Sequence, residues 1–135
     1  MMLQAGDAFL IPDSPPTAPQ RHLWIVISDP ARSPDAQVLL VNVTTWEKWK
    51  DDTCLLEPAD CRTCPFIKHA SCVDYARARI EGIAKIERMV AAGLIKQQVN
   101  VGPELLARIR KGAQDSPRLP NRCQLFLADQ DIIEL

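Results

Sequence analysis

At 135 residues, 47% hydrophobic and 24% charged, the chain is sized for one domain that can bury a core without covalent staples. A net charge of −1 excludes a generally basic nucleic-acid binder, so any role on RNA or DNA must rest on a local patch. Five cysteines are an odd set, which fits reduced thiols or a metal site better than a complete disulfide framework.

The N-terminal stretch MMLQAGDAFLIP has no basic leader run, and nothing later approaches the roughly 18 apolar residues of a membrane span. The expectation is a cytoplasmic protein with no membrane partner. Asp7 to Ile11 reads as a short first strand between Gly6 and Pro12. IPDSPPTAPQ follows, with four prolines that fix φ and remove donors, so a rigid loop is expected.

The stretch from His22 to Trp46 organises the chain. In HLWIVIS, Leu23, Ile25 and Ile27 point one way while Trp24 and Val26 point the other, predicting a strand buried on both faces. In VLLVNVTTW, Leu39, Val41 and Val43 alternate with Val38, Leu40 and Asn42. The connection carries Asp29, Pro30, Ser33, Pro34 and Asp35, all turn formers. Only if the two strands run antiparallel do their polar ends, Arg21-His22 and Thr44-Thr45, meet on one rim.

EKWKDDT is then polar, CLLEP is a short strand candidate, and ADCRTCP is a turn holding two cysteines. FIKHASCVDYARARI reads mostly as strand, with Phe66 followed by Ser71, Val73 and Tyr75 in phase. From about Glu81 the period becomes helical through Ile83, Ile86, Val90 and Leu94, with Gly93 as the stop. IKQQVNV alternates as a last short strand. Gly102-Pro103 opens a second helix with Glu104 in its first turn and one apolar stripe, Leu105, Leu106 and Ile109, before Gly112. SPRLPN breaks it, and QLFL closes a domain that spans 1–135, β-rich over 1–80 and mainly helical over 81–135.

The order of these pieces resembles the MazF/PemK-like toxins. The residues that carry the resemblance are GDAFLI (6–11), RHLWIVISDP (21–30), VLLVNVTTW (38–46) and HASCVDYARARI (69–80). The resemblance implies a small, strongly bent SH3-like β-barrel with two to three α-helices, acting as a dimeric endoribonuclease on single-stranded RNA. It also implies a cognate antitoxin protein as partner, and no cofactor. Aligned on Ser28, the family's usual arginine falls on His22, with Arg21 just before it, and its hydroxyl residue falls on Thr44.

Metal-free RNA cleavage needs a base for the 2′-OH proton, an acid for the leaving 5′-oxygen and donors for the phosphorane charge. His22 could serve as base or acid, Arg21 as a fixed cation and Thr44 as a hydroxyl donor. The alternative is that His22 merely opens a strand and that Thr44 and Thr45 are plain strand formers. For substrate binding, Thr45 extends the rim. Lys68, Tyr75, Arg77 and Arg79 would form a basic strand face with one stacking ring, whose alternative is a solvated face. Asp7 and Asp74 are further carboxylates without assigned geometry. Trp24 reads as core, while Trp46 and Trp49 read as packing or base-stacking residues.

Cys54, Cys61, Cys64, His69 and Cys72 supply enough soft ligands for a zinc ion, but a single C-x-x-C with no matching second half favours thiols over a metal. The second function class is a non-catalytic barrel module that binds RNA or a protein through the same cleft.

Overall fold

The computed structural model describes residues 2–12, 21–60 and 66–135. Six antiparallel strands form one curled, half-barrel sheet: β1 (Ala8–Pro12), β2 (Arg21–Val26), β3 (Gln37–Thr45), β4 (Leu55–Leu56), β5 (Ser71–Gly82) and β6 (Lys96–Gln98), in the order β4-β5-β3-β2-β1-β6. Three helices complete the C-terminal half: α1 (Ile83–Ala91), α2 (Pro103–Asp115) and α3 (Asn121–Asp129). This is the β-rich front and helical back that the patterning predicts, in the bent-barrel form that the resemblance implies. Among the described residues no helix is long and apolar enough to cross a membrane.

The double-sided strands explain the architecture. Leu23, Ile25, Ile27, Leu39, Val41 and Val43 join one buried cluster with Leu105, Ile109 and Ala113 of α2 and Cys123 and Leu127 of α3. Trp24, Val26, Val38 and Leu40 join a second with Phe9, Ile11 and Ile86 of α1. A two-fold side-chain period with both phases apolar requires cover on both faces, and the helices supply it. β2 and β3 pair antiparallel from Leu23↔Val43 to Val26↔Leu40. The Ser28 hydroxyl extends the register by accepting the Leu39 N–H at 2.8 Å. Between the strands, Asp29 caps the 3₁₀ turn Pro30–Arg32 by accepting from the Ala31 N–H.

The motif Gly6-Asp7 is a joint. Gly6 adopts φ +90°, and a Cβ there would lie 2.6 Å from the Asn100 side-chain oxygen. The Asn100 amide donates to Asp7 Oδ1 and to the Ala5 carbonyl, both at 3.0 Å, tying the start of β1 to the segment between β6 and α2. Gly93, at φ +74°, sits where the periodicity ends α1.

Beyond the apolar stripe of the second helix comes Gly112. It lies inside α2, where a Cβ would meet the Tyr75 oxygen at 2.1 Å and the Cys54 Cβ at 3.0 Å. The glycine is required by close approach to β5 and leaves the helix running to Asp115, where Ser116 caps it through its backbone N–H to the Gly112 carbonyl.

β5 also departs from simple alternation. Leu40 pairs with Arg79, but Asn42 pairs with Asp74, so residues 75–78 stand against Val41 alone. This irregularity moves Tyr75 and Arg79 onto opposite faces of the sheet.

Candidate functional site

Extending the β2–β3 register by one residue sets His22 level with Thr44, at the open end of the pair. There a cleft of about 320 Å³ is lined by Arg21, His22, Thr44, Thr45, His69 and Ser71, over an apolar floor that includes Leu10, Leu23 and Val43. The antiparallel pairing therefore brings both polar strand ends to one place.

β5 delivers the third wall. Thr45 pairs with Ser71 and Thr44 with Cys72, so the residues just before β5 rise beside the end of β3. His69 Nε2 lies 2.8 Å from Thr45 Oγ1, which holds the imidazole at the cleft. The Ser71 hydroxyl donates to the His69 carbonyl at 2.9 Å, fixing the backbone from which that ring projects.

Lys50 closes the rim from the loop after β3. Its ammonium donates to the Thr45 carbonyl at 2.7 Å and lies 3.5 Å from Thr44 Oγ1. None of the described residues lining the cleft is acidic, so Arg21, Lys50 and any protonated imidazole make it a local cationic site on a chain of net charge −1.

The loop carrying Lys50 is braced from below. Asp51, 5% exposed, accepts from the Thr53 backbone N–H at 2.9 Å, from the Thr53 hydroxyl, and from the Ser116 hydroxyl at 2.7 Å. Burial pushes its carboxyl up, but the Thr53 and Ser116 hydrogen bonds and the Arg118 charge outweigh this and leave it below the ordinary aspartate range. Lys50 is thus anchored one residue away from a buried, ionised hub.

The remaining predicted residues divide sharply. Tyr75, read from the sequence as a stacking ring, is fully buried and donates its hydroxyl to the Ile109 carbonyl at 2.7 Å. Burial raises its pKa far above the usual phenol value, and the ring offers no face to a base. Arg79 lies on the α1 side, stacked 4.2 Å over the Trp24 ring and 3.6 Å from Glu81, and does not share a surface with Tyr75. The β5 irregularity is the physical reason that these two, with Arg77, do not form the expected face. Arg77 and Lys68 are exposed, and neither lines the cleft. Asp7 is spent on Asn100, and Asp74 faces Asn42 across the strand pair.

Cys54 and Cys72 are buried free thiols whose pKa burial raises, which disfavours the thiolate a metal or nucleophilic role needs. Cys61 and Cys64 lie outside the described residues. Among the described residues no three His, Cys, Asp or Glu side chains converge as a ligand set.

Two residues of the site escape a reading by single motifs. His69 is one histidine in a cysteine-rich stretch, and Lys50 is one charge in EKWKDDT. The pairing of Thr45 with Ser71 brings His69 to the cleft, and the bond to the Thr45 carbonyl brings Lys50 to its rim. No protein-family model matches the chain, and neither does any curated protein.

Proposed function

We propose that this protein is a metal-independent endoribonuclease acting on single-stranded RNA at the Arg21–His22–Thr44 cleft, the activity that its resemblance to MazF/PemK-like toxins implies. The observation that carries the reading is that one cleft is lined by two histidines together with Arg21 and hydroxyls, with the Lys50 ammonium at its rim.

Two imidazoles supply what the chemistry requires at neutral pH. One takes the 2′-OH proton as that oxygen attacks the adjacent phosphorus. The other gives a proton to the departing 5′-oxygen, leaving a 2′,3′-cyclic phosphate on one fragment and a 5′-hydroxyl on the other. Arg21 and Lys50 face the charge that develops on the phosphorane oxygens, and the hydroxyls of Thr44 and Thr45 orient the phosphate and the His69 ring. An arginine in place of His22, as the family usually has, would offer charge without a proton to exchange near neutrality. His22 with His69 supplies an acid and a base instead.

The reading places the protein in the cytoplasm with an antitoxin that covers the cleft, and as a homodimer. Cleavage of a mixed-sequence single-stranded RNA in the presence of a chelator tests it. The expected result is fragments ending in 2′,3′-cyclic phosphate from the wild type and none from His22→Ala. A folded wild type that leaves the RNA intact would instead favour the non-catalytic module that binds RNA or a protein.

A further inference from the structure

The turn after β3 carries an aromatic side chain that the core does not use. Trp24 is 5% exposed, but Trp49 is 72% exposed. Leaving an indole in water forgoes the burial that usually stabilises it. Trp49 is nevertheless held in place. Its Nε1–H donates to Glu47 Oε2 at 2.7 Å, and the Lys50 ammonium sits 5.2 Å from the ring centroid. The Lys50 backbone N–H donates to the Glu47 carbonyl at 2.9 Å, closing the turn that presents the ring. The same Lys50 ammonium reaches the Thr45 carbonyl, so the exposed ring is tied directly to the rim of the cleft.

We infer that Trp49 is the stacking platform for a base next to the scissile phosphate, with Lys50 meeting the phosphate that joins that base to the cleft. This rests on the ribonuclease reading and names a substrate subsite within it. The charges assign the two halves of the nucleotide. Glu47, beside the indole N–H, repels phosphate and leaves the ring to an uncharged base, while Lys50 at the rim attracts the backbone. An indole stacks on any base, so this subsite adds affinity with little sequence preference.

The test is binding of a labelled, fully 2′-O-methyl single-stranded oligonucleotide, which lacks the attacking hydroxyl and survives the measurement. Trp49→Ala should raise the Kd about tenfold or more, and Trp49→Phe about threefold or less, with both variants melting like the wild type. An abasic version of the oligonucleotide should bind the wild type as weakly as it binds Trp49→Ala. If the wild type binds and cleaves RNA while Trp49→Ala binds as tightly, the platform is wrong and the ribonuclease reading stands. If the wild type neither binds the oligonucleotide nor cleaves RNA, the reading fails and takes the subsite with it.

Discussion

Tyr75 and His69 stand six positions apart on the same stretch of chain, and the fold treats their polar groups in opposite ways. Around Tyr75 the polar need is met internally: the buried hydroxyl donates to the Ile109 carbonyl, and Gly112 is bare so that the helix can come that close. Around His69 the polar groups of three strand ends are gathered at the surface, with Thr45, His22 and Arg21 lining an accessible cleft and Lys50 at its rim. A buried hydroxyl with one good partner contributes to rigidity. Imidazoles, hydroxyls and cations assembled without acids at a solvent-open cleft contribute little to a core and suit an anionic substrate. The difference separates what holds the fold from what it holds in place.

Substitutions should break the two regions differently. At the cleft, His22→Ala or His69→Ala should each lower kcat for RNA cleavage by about 10²- to 10⁴-fold while leaving the melting temperature near that of the wild type. At the sealed joint the pattern should invert. Gly112→Ala forces a methyl onto the Tyr75 oxygen and should destabilise by about 2–4 kcal/mol in urea unfolding, with cleavage at low denaturant little changed. Adding Tyr75→Phe should recover part of that loss, because the nearest clashing atom is the hydroxyl.

Asp51 links the regions. Asp51→Ala should cost about 2 kcal/mol, since three donated hydrogen bonds lose their charged acceptor. Its carboxyl titrates lower in the folded than in the unfolded chain. The unfolded state therefore binds the proton first as pH falls. The stability from Asp51 is full above the ordinary aspartate pKa of 3.8 and is lost as pH drops through the lower folded value. Acid unfolding of Asp51→Asn should lack that component. The smallest effect belongs to Arg79→Ala, which removes the guanidinium stacked on Trp24 and should cost about 1 kcal/mol with no change in cleavage.

The sequence made the fold legible where one residue's side chain depends on its neighbours two positions away. The two apolar phases of Leu23–Ile27 and Val38–Val43 predict a sheet covered on both sides, and Gly6, Gly93 and Gly102-Pro103 predict where elements meet. It fell short where a long-range contact sets the conformation. Nothing local marks Gly112 as the place where α2 touches Tyr75, a residue 37 positions earlier. The strand phase of Tyr75, Arg77 and Arg79 predicts a shared face, yet the slip opposite Val41 breaks it. At the cleft, His22 and Thr44 were legible because antiparallel pairing follows from two adjacent apolar strands. His69 and Lys50 were not, because their positions depend on how β5 returns to β3 and on two side-chain bonds to Thr45.

The dependence of cleavage on pH tests the central claim most directly. Measured with chelator between about pH 5 and about pH 9, log(kcat/KM) for single-stranded RNA should follow a bell, the profile of one group acting as base and another as acid. Each of His22→Ala and His69→Ala should lose a different limb of that bell along with most of the rate. A wild-type rate that is flat across this range, or a His69→Ala enzyme that keeps both limbs and full activity, would contradict the two-histidine site.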